Sequence, residues 1–178
     1  ASRARQKGLE PLALRILEQR GEDPFAYSAD YVDTGAGVAS IQEAVEGASD
    51  IIAEIVTQDP DVRTAMRDLF WARGKYVSSC AKGMEQEGSK FRDYFNWQEP
   101  VRKTPSHRVL AMRRGEDEGI LRLGIRVPED DAVALIVDRY SRGVDCAETE
   151  IVEEAIKDGY RRLLAPSMET WTRLRSRE

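Results

Sequence analysis

The feature that most limits the fold is a helix start at Ser40. Ser40-Ile41-Gln42-Glu43 has the spacing of a capping box, in which a serine oxygen takes a backbone N–H three residues on and the glutamate reaches back. Behind it, Ile41, Ala44, Val45, Ala48, Ile52, Ile55 and Val56 recur at helical spacing on one face. Asp59-Pro60 ends that helix and caps the next, whose stripe is Val62, Ala65, Met66, Leu69 and Phe70, closed by Gly74. Two successive amphipathic helices have to bury their stripes against something, so the chain is read first as a helical protein.

The other segments mostly agree. Ser2–Lys7 has helical character. Leu9 to Arg20 places Leu12, Ala13, Ile16 and Leu17 on one face, with Gly21 as the expected stop. Asp23-Pro24 opens a short helix, and residues 33–37 form a loop. Thr104-Pro105 starts a helix through Leu110 to Arg114, expected to stop at Gly115. Residues 128–140 predict another, with acidic residues in the first turn where the helix dipole favours them. Asp145 and Glu148 are expected to cap the last long helix, with Val152, Ala155, Ile156, Gly159 and Leu163 as its stripe. Pro166 interrupts it, and Thr170–Glu178 is a basic, helix-prone tail. Two runs differ: Tyr76–Cys80 and Ile120–Val127 have β character and can pair. Phe91, Tyr94, Phe95 and Trp97 read as a loop anchored in the core. The expected class is mainly α, a multi-helix domain with a small two-stranded β element, divisible into lobes at 1–74 and 75–178.

Composition removes several functions. A length of 178 residues with 41% hydrophobic content suits one domain or two small lobes. A net charge of -5 rules out a uniformly basic sleeve for nucleic acid. Cys80 and Cys146 are far apart with no secretory signal, which points to a reducing cytoplasm. No apolar run approaches the roughly 20 residues of a membrane span. Ala1 opens inside a helical pattern without a methionine, as expected of a piece of a longer chain.

Catalytic patterns are missing. His107 is the single histidine, and the two cysteines are isolated, so no zinc spacing is available. Neither phosphate-loop nor dinucleotide-binding glycine pattern occurs; Gly35-Ala36-Gly37 follows no strand. Paired carboxylates such as Asp130-Asp131 and Glu153-Glu154 read as solvated helix faces. No enzyme activity, metal or cofactor is expected. A hydrolase would need His107 in a cleft beside Ser106 or a carboxylate.

Charge is unevenly placed. Residues 90–126 hold nine basic side chains against five acidic ones, while residues 128–158 hold ten acidic against three basic. Basic residues interleaved with aromatics suit a surface that tracks phosphates and stacks bases. Mutual neutralisation of the two segments, or aromatics spent on the core, are the structural alternatives. Pro105-Ser106-His107-Arg108 sits where a helix start leaves N–H groups free for an anion, or serves only as a cap. The candidate contacts are Lys90, Arg92, Arg102, Lys103, His107, Arg108, Arg113 and Arg114.

These residues also carry a resemblance. Residues 90–95, Glu99-Pro100, residues 105–112, Arg114-Gly115-Glu116 and Glu118-Gly119 together resemble the signature run of the bacterial Tex family of RNA-binding transcription accessory proteins. Residues 8–13, 43–48, 50–54 and 158–167 are similar to further parts of the same region, in order. The resemblance implies a helical N-terminal part of a longer protein. It implies that a YqgF ribonuclease-H-like domain, helix-hairpin-helix elements and a C-terminal OB-fold, the main RNA-binding surface, lie outside this chain. The expected role is a non-catalytic scaffold with auxiliary phosphate contacts, its partners RNA or DNA through the parent protein. The alternative is a module docking RNA polymerase or ribosome-associated proteins through a helical face.

Overall fold

A computed structural model describes residues 1–177. In chain order the elements are α1 (Ser2–Gln6), α2 (Glu10–Glu18), α3 (Pro24–Tyr27), α4 (Ile41–Gln58), α5 (Pro60–Arg73), β1 (Lys75–Cys80), β2 (Asn96–Pro100), α6 (Ser106–Asp117), β3 (Leu121–Arg126), α7 (Glu129–Tyr140), α8 (Ala147–Gly159) and α9 (Ala165–Arg175). Short 3-10 turns occupy Ser89–Tyr94 and Val101–Lys103, and a π turn at Tyr160–Leu164 precedes α9. The wide turn lies just before Pro166, whose ring supplies no N–H for a normal helical bond. The tail helix therefore forms through Arg175; of the predicted tail, Glu178 lies outside the described residues. No helix among the described residues is long and apolar enough to cross a membrane.

The chain forms two compact units. One combines Ala1–Arg63 with Asp130–Pro166; the other combines Thr64–Glu129 with the segment from Ser167.

The first unit is helical and centred on α4. The cap forms: Ser40 Oγ accepts from Glu43 N at 3.1 Å, while Glu43 reaches one residue further back than a capping box requires and accepts from Ala39 N at 2.8 Å. Ala44, Ala48, Ile51, Ile52, Ala53 and Val56 are buried, while Ile41 at the helix start is exposed. Small residues let α8 approach α4 closely: a Cβ on Gly159 would sit 3.0 Å from Thr57 and 3.2 Å from Ala53.

Two polar side chains complete this unit. Helix α2 does not run to Gly21; it ends at Gln19, in the left-handed region at φ 50°. The strain is held because Gln19 is buried and its amide is used twice over. Its Nε2 donates to the carbonyls of Leu17 and Tyr140, and its Oε1 accepts from Arg142 N and Thr149 Oγ1. Glu148 does not cap its own helix, which starts at Cys146 without a side-chain cap. Fully buried, it accepts instead from Gly21 N (2.9 Å), Glu22 N (3.0 Å) and the Tyr27 hydroxyl (2.6 Å). Burial, reinforced by that carboxylate, pushes the Tyr27 phenol far above its ordinary pKa.

The second unit is built on a sheet of order β2-β1-β3, antiparallel throughout. The expected pair of Tyr76–Cys80 with the Ile120–Val127 run forms, with Tyr76 opposite Ile125 and Ser78 opposite Leu123. The third strand, Asn96–Pro100, falls where a loop was expected. Tyr76, Ser78, Leu121, Leu123 and Ile125 point to the buried face. Gly115 is no helix stop: α6 runs through it to Asp117 and the chain turns at Gly119, φ 76°. Gly115 is where α6 meets β3, since a Cβ there would lie 2.5 Å from Leu121 Cδ1. The outer edge of β3 is closed by α9 side chains. Glu169 accepts from Ile125 N at 2.8 Å, and Arg173 donates to the Leu123 carbonyl at 2.6 Å and to Glu116. Paired this way, an edge strand is no template for another chain.

Candidate nucleic-acid interface

All eight candidate residues lie in the second unit, and the turn at Ser89–Tyr94 shows why Lys90 and Arg92 face outward. Phe91 from that turn is buried with Ile120 and Leu121, and Met84, Tyr94 and Phe95 pack against the cluster. With Phe91 pinned, its neighbours Lys90 and Arg92 are left on the surface. The aromatics are thus largely structural. Tyr94 and Trp97, both half-buried, meet edge to face with centroids 6.0 Å apart.

Two of the eight side chains are engaged by carboxylates. Lys90 Nζ donates to Glu118 at 2.9 Å and lies over the Phe91 ring. Arg108, in the first turn of α6, reaches both oxygens of Glu99 on β2 at 3.0 and 3.1 Å. Its guanidinium also sits 5.2 Å from the Trp97 ring centre, and Trp97 Nε1 donates to Glu99 at 3.3 Å. Arg108 is therefore a strap between α6 and β2, with its Nη1 held by both oxygens of Glu99.

The remaining cations are differently placed. Arg92, Arg102, Lys103 and Arg114 are exposed, and no carboxylate pairs with them among the described residues. Arg102 and Lys103 share the turn Val101–Lys103, which Val101 anchors by burial. On α6, His107, Leu110 and Arg114 share the outward face, opposite the buried Met112 and Gly115. Arg113 is half-buried and lines a cavity of about 340 Å³ with Ser106, Val109 and Leu110. His107 is exposed and does not line that cavity. No group of three or more His, Cys, Asp or Glu side chains able to hold a metal occurs among the described residues.

Sequence reasoning counted Arg122 and Arg126 in the basic segment without singling them out, and passed over Lys75; the three lie together on the outer face of the sheet. The signal was the alternation of Leu121, Leu123 and Ile125 with Arg122 and Arg126, which has the period of a half-buried strand.

Comparison with known proteins places this arrangement. The family profile described as Tex central region-like matches residues 19–174. The uncharacterised protein YdcI of Bacillus subtilis is 37% identical over 171 residues, covering 95% of this chain and 24% of that protein. The transcriptional accessory protein Tex of Neisseria gonorrhoeae is 35% identical over 128 residues, covering 72% of this chain and 17% of the relative. The human S1 RNA-binding domain-containing protein 1 is 26% identical over 179 residues, covering 93% of this chain and 18% of that protein. The chain thus spans about a quarter or less of the length of these relatives. The chain belongs to the Tex family, and the part it carries is the central region.

Proposed function

We propose that this chain is a non-catalytic scaffold region of a cytoplasmic transcription accessory protein that handles RNA or DNA. In this reading Arg92, Arg102, Lys103, His107, Arg113 and Arg114 make auxiliary contacts to backbone phosphates. The names of two relatives, one a transcriptional accessory protein and one an S1 RNA-binding domain protein, support the setting. The observation that carries the reading is the split among the cations. Lys90 and Arg108 are neutralised within the unit, whereas Arg92, Arg102, Lys103 and Arg114 are held outward without a carboxylate partner among the described residues. Exposed unpaired arginines suit phosphate contacts that position rather than read sequence. Base reading belongs, in this reading, to the OB-fold expected elsewhere in the parent protein.

A second reading is favoured by one feature. Leu110 is 64% exposed at the rim of the cavity it forms with Val101 and Val109, a foothold for a protein partner of the transcription or translation machinery.

Fluorescence anisotropy with a labelled single-stranded RNA at two salt concentrations tests the first reading. The expected result is micromolar binding that weakens steeply with salt and drops about tenfold in an Arg102→Ala, Lys103→Ala, Arg114→Ala variant. Binding unaffected by these substitutions would remove these residues from any interface.

A further inference from the structure

The outer face of the three-stranded sheet is uncovered, and its composition is unusual for a chain of net charge -5. The register arranges it in three rows. Lys75 lies between Arg126 and Pro100, Val77 between Gly124 and Gln98, and Ser79 between Arg122 and Asn96. Directly opposed residues of antiparallel strands share a face, so these nine positions form one surface. None is acidic. Lys75, Arg122 and Arg126 are exposed, and no carboxylate pairs with them among the described residues. In the same unit Lys90, Arg108 and Arg173 are paired, whereas Arg92, Arg102, Lys103 and Arg114 share the exposed, carboxylate-free state of Lys75, Arg122 and Arg126 among the described residues.

The relief of the face is equally specific. Gly124, Ser79 and Val77 make a low floor, and Arg126 folds over Gly124 with its guanidinium 3.9 Å from where a Cβ would stand. Glu169 approaches the same point at 3.0 Å, but it is already occupied by Ile125 N and Arg173. At the Lys75 end a cavity of about 300 Å³ is lined by Arg73, Lys75, Gln98 and Arg126 together with Val77, Val127 and Pro128, none of them acidic. Arg122 and Arg126 are separated along β3 by about 13 Å; the cationic ends bracket the Gln98–Val77–Gly124 row, and Ser79 and Asn96 lie in the Arg122 row.

We propose that this face binds the phosphate backbone of nucleic acid without reading bases. Charge complementarity selects a polyanion. The donors Ser79, Asn96 and Gln98 suit phosphate oxygens, while the face holds no aromatic ring on which a base could stack. The proposal rests on the reading that the chain handles nucleic acid, but it assigns the contact to residues on another surface of the unit.

The test is anisotropy of a labelled single-stranded RNA with the whole chain and two variants. One is Lys75→Thr, Arg122→Thr, Arg126→Thr, in which threonine keeps strand propensity on an exposed face. The other is the Arg102→Ala, Lys103→Ala, Arg114→Ala variant. The sheet variant is expected to keep its unfolding midpoint, to lose about tenfold or more in affinity, and to flatten the log–log salt slope by about 2. Lysine at Arg122 and Arg126 should restore most of the binding. Oligonucleotides of different sequence should bind alike, and poly-glutamate of equal charge should compete poorly. If the sheet variant binds like the parent chain while the α6 variant does not, the sheet proposal fails and the first reading stands. If the chain binds no RNA at all, both fail. Equal competition by poly-glutamate would overturn the assignment to nucleic acid.

Discussion

Each unit of this protein is locked by one charged side chain turned inward, and the two locks are built on opposite principles. In the first unit Glu148 is fully buried and accepts three hydrogen bonds, all from neutral donors. In the second, Arg173 gives one hydrogen bond to the Leu123 carbonyl and two to the Glu116 carboxylate, with 23% of its side chain still exposed. Glu148 organises a backbone turn that has no other partner for its N–H groups. Arg173 joins the Leu123 carbonyl to Glu116, whose side chain stays 33% exposed. A polar group whose partners are stranded when it leaves matters more to the fold than one whose partners can be rehydrated.

The sharpest way to break this comparison is to remove both locks. Glu148→Ala strands two backbone N–H groups and the Tyr27 hydroxyl, and urea unfolding should show a loss of about 3–4 kcal/mol. Glu148→Gln keeps one acceptor and should recover part of it. Arg173→Ala frees Glu116 and Glu169 to hydrate and should lose about 2 kcal/mol. Equal losses, or a larger one at Arg173, would mean that burial is not what separates the two.

The sequence was most legible where one residue's neighbours along the chain decide its state. The Ser40 cap, the α4 stripe, the Asp23-Pro24 start and the β1–β3 pair all follow from local period and capping. It was least legible where tertiary contacts override local preference. Gly115 looks like a stop, yet it is a packing position beneath Leu121. Glu148 looks like a first-turn acid of α8, yet its carboxylate serves residues 21, 22 and 27, more than a hundred positions earlier. Strand β2 was hidden because Asn96-Trp97-Gln98-Glu99-Pro100 lacks the β-branched pattern of a strand and is recruited by pairing with β1. Among the candidate site residues, a basic segment could be seen but not its internal bookkeeping. Only the fold shows that Glu99 takes Arg108 and Glu118 takes Lys90.

The Gly115 correction is itself testable inside the second unit. Gly115→Ala should cost about 1–2 kcal/mol, because the new methyl must displace the Leu121 side chain at 2.5 Å. A true helix stop in the left-handed region would behave otherwise, with binding-neutral loss confined to the end of α6. Hydrogen exchange across α6 and β3 distinguishes them: a packing clash loosens both elements, and a lost stop loosens only residues after 115.

The smallest expected effect concerns a half-exposed cluster in the first unit and sharpens the role of burial. Asp59 accepts from Tyr140 Oη at 2.5 Å and from Arg139 Nε at 2.7 Å. Burial raises the Tyr140 pKa and the Asp59 carboxylate adds to it, bringing it to about 12 from an ordinary 10. Burial works against ionised Asp59, but the bonds from Tyr140, Arg139 and Asp61 N prevail and hold it below its ordinary value. The two shifts act at opposite ends of the pH scale. As pH rises past 10, the unfolded chain releases the tyrosine proton first, so this stabilisation is complete below 10 and is lost on approach to 12. As pH falls, the unfolded aspartate takes up its proton near 3.8 before the folded one, so stability is lost through the depressed pKa of Asp59. Tyr140→Phe should cost about 1 kcal/mol at neutral pH, a third of the Glu148→Ala loss or less. It should also flatten the alkaline limb and shift the acid limb upward, because Asp59 then keeps Arg139 and Asp61 N but loses one donor. A loss at neutral pH matching that of Glu148→Ala would show that a half-exposed polar cluster can lock this unit as firmly as a buried one.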